Sequence, residues 1–135
     1  MSIVVAARPQ PLLRTPLTAP DLLDILAGAT PARLDELLFG VIGFGSDGRV
    51  MACNVSAQRL SGIAGGDALG ADLFTQIAPC ADNLMVRERF RRAWERGVEL
   101  DVELRFAFSY PMKYLRVVLR LLSRGQRGWL AFTPV

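Results

Sequence analysis

The sequence predicts an α+β domain built on five antiparallel strands, and three observations carry that prediction. Leu100, Val102, Leu104, Phe106 and Phe108 alternate with Asp101, Glu103, Arg105 and Ala107, the period-two signature of a strand with one buried face. Two β-prone runs precede this strand and two accompany it, each group close enough in sequence to fold back on itself. Between the groups lie only helical segments, so strands and helices are segregated along the chain as in α+β folds. With 135 residues, 51% of them hydrophobic and 21% charged, the chain has the core of one domain.

The elements follow in order. Four of the eight prolines (Pro9, Pro11, Pro16 and Pro20) fall in residues 1–20. Proline fixes φ and withholds a donor, so an extended arm is expected there, with one domain over residues 21–135. Leu22, Leu23, Ile25 and Leu26 recur at helical spacing and stop at Gly28; Pro31 opens a second short helix with Leu34, Leu37 and Leu38. Together these predict an N-terminal helical cap. The first stripe is long enough to cover a sheet or to meet a second copy, which predicts a homodimer. Leu38 to Phe44 and Arg49 to Cys53 are β-prone and flank Gly45-Ser46-Asp47-Gly48, a hairpin signal. Asn54 caps a short helix through Leu60, which Gly62 and the Gly65-Gly66 pair break, and Asp72 to Ile77 offers one more turn before Pro79. The glycine pair is also a candidate lid hinge. Asp82 or Asn83 then caps the longest helix, about Leu84 to Arg96, with Val86, Phe90, Ala93 and Trp94 on one face. Leu115, Val117, Leu119 and Leu121 repeat the alternation, and Gly128 to Thr133 supplies the last strand. Trp94 and Trp129 are expected as core or interface anchors.

Composition removes much chemistry. There is no histidine, so Ser-His-Asp triads and histidine metal sites are excluded. Cys53 and Cys80 are the only cysteines, too few for a disulfide scaffold or a structural zinc site. The uninterrupted apolar runs are as short as Ile3 to Ala7, against roughly 20 residues for a membrane span, and no secretory signal is recognisable. A cytoplasmic protein without a membrane partner is expected. Residues 1–86 carry five arginines against eight acids, and residues 87–135 carry eleven Lys+Arg against five acids. These cations are spaced singly along a helix and strands, the pattern of solvated faces, so nucleic acid is not an expected partner.

Two strands, a helical crossover and a three-stranded meander is the element order of the PAS fold, an antiparallel sheet with helices on one face enclosing a small cavity. From about Leu22 onward the chain resembles the photoactive yellow protein family within that fold. The resemblance rests on Leu34-Asp35 through Phe39-Gly40, Asp47-Gly48, Asn54-Val55-Ser56-Ala57, Gly62, Gly70, Phe74, Ala78-Pro79-Cys80 and Phe108-Ser109-Tyr110-Pro111-Met112. It implies a 4-hydroxycinnamoyl-type chromophore joined to Cys80 as a thioester, with Phe108, Tyr110 and Met112 packed beside it and Phe74 and Pro79 in the same wall. The departures are equally specific. Where the family holds a buried phenolate with Tyr and Glu, backed by Thr, this sequence has Cys53, Ala57 and Ser61, and Ile63 falls at the place of a shielding Arg. A desolvated anion without donors neutralises by shifting its pKa, so a standard phenolate chromophore is not expected. The pocket then holds a more apolar ligand, the thiol has another use, or the site is a relic.

Cys80 reads either as a small buried hydrophobe or as a functional thiol whose thiolate is favoured by the amides opening the long helix. Cys53 reads as pocket lining or as a second thiol facing Cys80. The expected function is a stand-alone PAS-type sensory domain that binds a small organic ligand and reports to a downstream signalling protein. The alternative is a thiol-dependent enzyme using Cys80 on an acyl or aromatic substrate, for which only Asp72, Asp82, Glu88 or a water could act as base. A haem or flavin sensor is a third reading, and the lack of histidine weighs against haem.

Overall fold

The computed structural model describes residues 11–135; the expectation of an extended arm over residues 1–10 lies outside them. Five strands, β1 (Gly40–Gly45), β2 (Val50–Cys53), β3 (Leu100–Phe108), β4 (Leu115–Arg124) and β5 (Arg127–Pro134), form one sheet in the order β2-β1-β5-β4-β3, every neighbouring pair antiparallel. Glycine permits two features of this sheet. Gly48 ends the β1–β2 turn at φ +85°, a conformation that costs side chains with a Cβ. Gly40 lies against the Phe132 ring, where an added Cβ would come within 2.6 Å.

The strand period of two sends alternate residues to two separate cores. On one face Ile42, Phe44, Val117, Leu119, Leu121, Leu130 and Phe132 pack against α3 (Val55–Ser61), a π-helical turn (Leu73–Ile77) and α5 (Arg87–Arg96). On the other face Val41, Leu122, Trp129 and Ala131 are covered by α1 (Leu22–Gly28) and α2 (Pro31–Leu34). Leu22 and Leu26 are fully buried there, each contributing about 1.5–3 kcal/mol by leaving water. Of the two roles expected of this stripe, the structure shows it covering the chain's own sheet.

Several expectations are corrected. The described part of the arm is not extended: Thr15 and Ala19 donate back to the carbonyls of Leu12 and Pro16, and Leu12, Leu17 and Ala19 join the outer core. Arg120 fastens it. Its Nε and Nη2 donate to the Asp101 carboxylate at 2.8 Å each, and its Nη1 donates to the carbonyls of Leu17 and Ala19 at 2.9 and 2.6 Å. This arginine is therefore a buried clasp, not part of a solvated face.

The long helix begins at Arg87 rather than near Leu84. Asn83 Oδ1 accepts the amides of Met85 and Val86, closing a separate turn, while Leu84 and Met85 stay exposed and give no apolar anchor. Gly65 and Gly66 do not merely break a helix but open the short α4 (Gly65–Ala68), with the Gly65 amide donating to Gln58 Oε1. Leu38 is 71% exposed and precedes β1 instead of starting it.

Candidate functional site

The site grows out of the turn from β2 to α3. A bulge lets the pairs Gly43–Ala52 and Phe44–Val50 flank an unpaired Met51, and one extra residue reverses the alternation. Cys53 consequently shares a face with Val50 rather than with the exposed Met51, and it packs on the helical-face core.

Asn54, only 2% exposed, does more than cap a helix. Its Oδ1 accepts the amides of Val41 and Ala57, both at 2.9 Å, and its Nδ2 donates to the carbonyls of Leu34 and Phe39 at 2.9 and 3.0 Å. One side chain thus fixes α3 against β1 and the N-terminal cap. Ala57 and Ser61, four residues apart and so on one helix face, are both buried. The Ser61 Oγ accepts the Ile63 amide at 3.1 Å, and its carbonyl accepts the Lys113 amide at 2.8 Å. That second bond ties the end of α3 to the β3–β4 loop. Among the described residues the Ser61 hydroxyl hydrogen has no acceptor.

The opposite wall is aromatic. Phe108, fully buried, lies edge-on between Phe106 and Phe132, with ring centres at 5.4 and 5.0 Å. Phe74 sits in the π-helical turn, whose first amides are accepted by Asp72 Oδ1. Its ring meets Phe44 edge-on at 5.5 Å, and the Arg87 guanidinium stands 5.1 Å from its centre. Met112 closes this wall at 2% exposure. Cys80, in a 3-10 turn (Pro79–Ala81), is half-buried against the same core, and its carbonyl accepts Asn83 Nδ2.

The structure therefore gathers Cys53, Ala57, Phe74, Cys80, Phe108 and Met112 on one core, with Ser61 buried at the end of α3. Tyr110 and Pro79 are not part of it. Strand alternation ends at Phe108, and the loop that follows turns Met112 inward while leaving Tyr110 88% exposed; Pro79 faces outward on its turn.

Burial and charge both act on Cys53. Burial, reinforced by the negative charge of Asp35, pushes the Cys53 thiol up to about 11, so it stays protonated at neutral pH. Asp35 is held nearby because its Oδ1 accepts the Val55 amide that opens α3. The expected help to Cys80 from the long helix is absent, since that helix starts seven residues later and the Met85 and Val86 amides are taken by Asn83.

The acids considered as bases are all engaged. Asp72 caps the π-helical turn, Asp82 pairs with Arg87 at 3.1 Å, and hydrogen bonding from Arg91 holds Glu88 below the usual carboxylate range. No cluster of His, Cys, Asp or Glu able to hold a metal occurs among the described residues.

A model described as the PAS fold matches residues 34–133. The photoactive yellow protein of Rhodothalassium salexigens is 30% identical over 112 residues, covering 82% of this chain and 89% of that protein. This chain belongs to the photoactive yellow protein family. The photoactive yellow protein of Rhodobacter capsulatus is 31% identical over 110 residues, covering 80% of this chain and 88% of that protein. Among solved structures, the photoactive yellow protein domain of the sensor histidine kinase Ppr from Rhodospirillum centenum superposes with a TM-score of 0.72 at 27% identity, covering 82% of this chain and 98% of its own. As a family member the chain is a PAS-type sensory domain. No helix among the described residues is long and apolar enough to cross a membrane.

Sequence reasoning missed Asn54 as the knot of the site and Arg120 as the clasp of the cap. The Asn54-Val55-Ser56-Ala57 run signals a cap, but nothing local signals that both ends of the amide are buried.

Proposed function

We propose that this sensory domain carries a small aromatic acyl group as a thioester on Cys80, its ring lying among Phe74, Phe108 and Met112 with any ring hydroxyl protonated. The observation that carries this reading is that Cys80 packs on the same core as Phe74, Phe108 and Met112. Burial and Asp35 hold Cys53 as a thiol, which leaves Cys80 as the nucleophile beside an aromatic wall. The Cys80 thiolate attacks an activated carboxyl carbon, the sulfur–carbon bond forms, and the activating group departs with the electron pair of the bond it loses.

The wall is already packed, so a ring can enter only if a side chain yields. Met112, unbranched and held by a loop rather than a strand, is best suited to do so. Its displacement pulls on the Lys113–Ser61 hydrogen bond and moves the loop bearing Tyr110. Ligand chemistry thereby becomes a change of surface that a signalling partner can read. Two free cysteines accord with the reducing cytoplasm.

The test is intact-protein mass spectrometry after exposure to the mixed anhydride of 4-hydroxycinnamic acid. One adduct is expected on the unmodified protein and on Cys53→Ser, and none on Cys80→Ser. An adduct that survives Cys80→Ser, or no adduct on any form, refutes the reading.

A further inference from the structure

The second arginine-rich face of α5 is unlike the first. Arg87 pairs with Asp82, and Arg91 pairs with Glu88 and Glu95, so that side of the helix is internally neutralised. Arg89 and Arg96 have no acidic partner among the described residues, and Arg92 reaches only Glu88, at 3.6 Å. At 100° per residue Arg89, Arg92 and Arg96 fall within about 60° of arc and span about 10 Å along the axis.

These three cations border a groove of about 410 Å³ between α5 and β3. Its apolar lining is Leu84, Ala93, Val98 and Leu100, of which Leu84 is 77% and Val98 55% exposed. The acid on its rim, Glu99, is occupied by Arg124.

We infer that this groove docks an acidic amphipathic helix of a signalling partner. The spacing of three and four residues among the arginines is what a facing helix matches with carboxylates at i, i+3 and i+7, while the same helix lays apolar side chains on Leu84, Val98 and Leu100. A nucleic acid would use the cations and leave the apolar floor unsatisfied. A second copy of this chain does not supply the occupant, because Asp24 of α1 is engaged by Arg124 and Glu88 and Glu95 of α5 by Arg91, and Asp67 is a lone acid on the four-residue α4. Cys80 is not among the residues lining this groove, and the inference does not rest on what that thiol carries.

The test uses the whole protein without an adduct and a fluorescent synthetic helix with Glu at i, i+3 and i+7 and Leu on the adjoining face, followed by anisotropy. Binding is expected to weaken about 10-fold in the double variant Arg89→Gln/Arg96→Gln, to weaken several-fold in Leu84→Ser, and to fall with added salt as exposed charge pairs do. A scrambled peptide of equal composition should bind about 10-fold more weakly. All substituted positions are exposed, and circular dichroism verifies that the variants fold. Equal affinity for the scrambled peptide, unchanged binding by the double variant, or displacement of the helix by a short DNA duplex at equal charge concentration would each overturn the assignment.

Discussion

A 4-hydroxycinnamoyl thioester formed on Cys80 is expected to keep its ring hydroxyl protonated at neutral pH and to absorb in the near ultraviolet. The magnitude follows from the donors that the site offers. Cys53 retains its S–H, pushed up to about 11, but a thiol is a weak donor. Ala57 offers none, and Ser61 offers one uncommitted hydroxyl hydrogen. A hydrogen bond to a charged acceptor is worth about 1.5–3 kcal/mol, or about 1–2 pKa units. Losing two strong donors therefore raises the ring hydroxyl by about 2–4 units relative to a site that has them, of which Ser61 returns about one. Burial acts in the same direction by disfavouring the anion. The assay is a spectrophotometric pH titration of the purified adduct. Cys53→Tyr, beside a surface cavity of about 140 Å³ lined by Met51, Asn54 and Gln58, should lower the ring pKa by about 1–2 units. Ser61→Ala should raise it by about 1 unit. A visible band at pH 7 from the unsubstituted adduct, or an unchanged titration in Ser61→Ala, would show that the donors are not those named.

Two further outcomes are expected of the protein without adduct. Asn54→Ala removes four buried hydrogen bonds and should cost about 3–5 kcal/mol, since the orphaned amides and carbonyls remain buried; a urea midpoint within experimental error of the parent would contradict the knot. Cys53 gives the alkaline limb of stability. Its folded pKa of about 11 lies above the ordinary 9.0, so from pH 9 upward the unfolded chain releases a proton that the folded chain keeps, and stability falls as pH rises to about 11. Partial exposure limits the loss to about 2 kcal/mol, and Cys53→Ala should abolish that part of the pH dependence in denaturant titrations.

What was legible in the sequence is what a local rule can decide. The β3 alternation, the Gly48 turn and the Asn54 cap each depend on a few neighbouring residues, and each appears where those residues put it. The failures share a cause: a distant group settled a local ambiguity. Residues 11–20 contain helix-breaking prolines, which permit an extended arm, but Arg120, a hundred residues on, collects the Leu17 and Ala19 carbonyls and folds the arm onto the sheet. The long helix could start at Leu84 by propensity, but Asn83 spends its side chain on a separate turn.

The candidate site shows the same division. Cys53 was placed in the pocket by motif position, whereas by simple alternation it pairs with Met51; only the unpaired bulge residue, fixed by pairing with β1, turns it inward. Tyr110 follows the opposite course, because extending the β3 alternation past Phe108 directs it into the core, and the loop directs Met112 there instead. The inward residue is thus flexible and loop-borne, while the rigid ring that the motif offers stands in solvent. On the proposed reading that exchange suits a pocket opened by its ligand better than one held open in advance, and the side chain that would yield sits on the loop joined to α3 through Lys113 and Ser61.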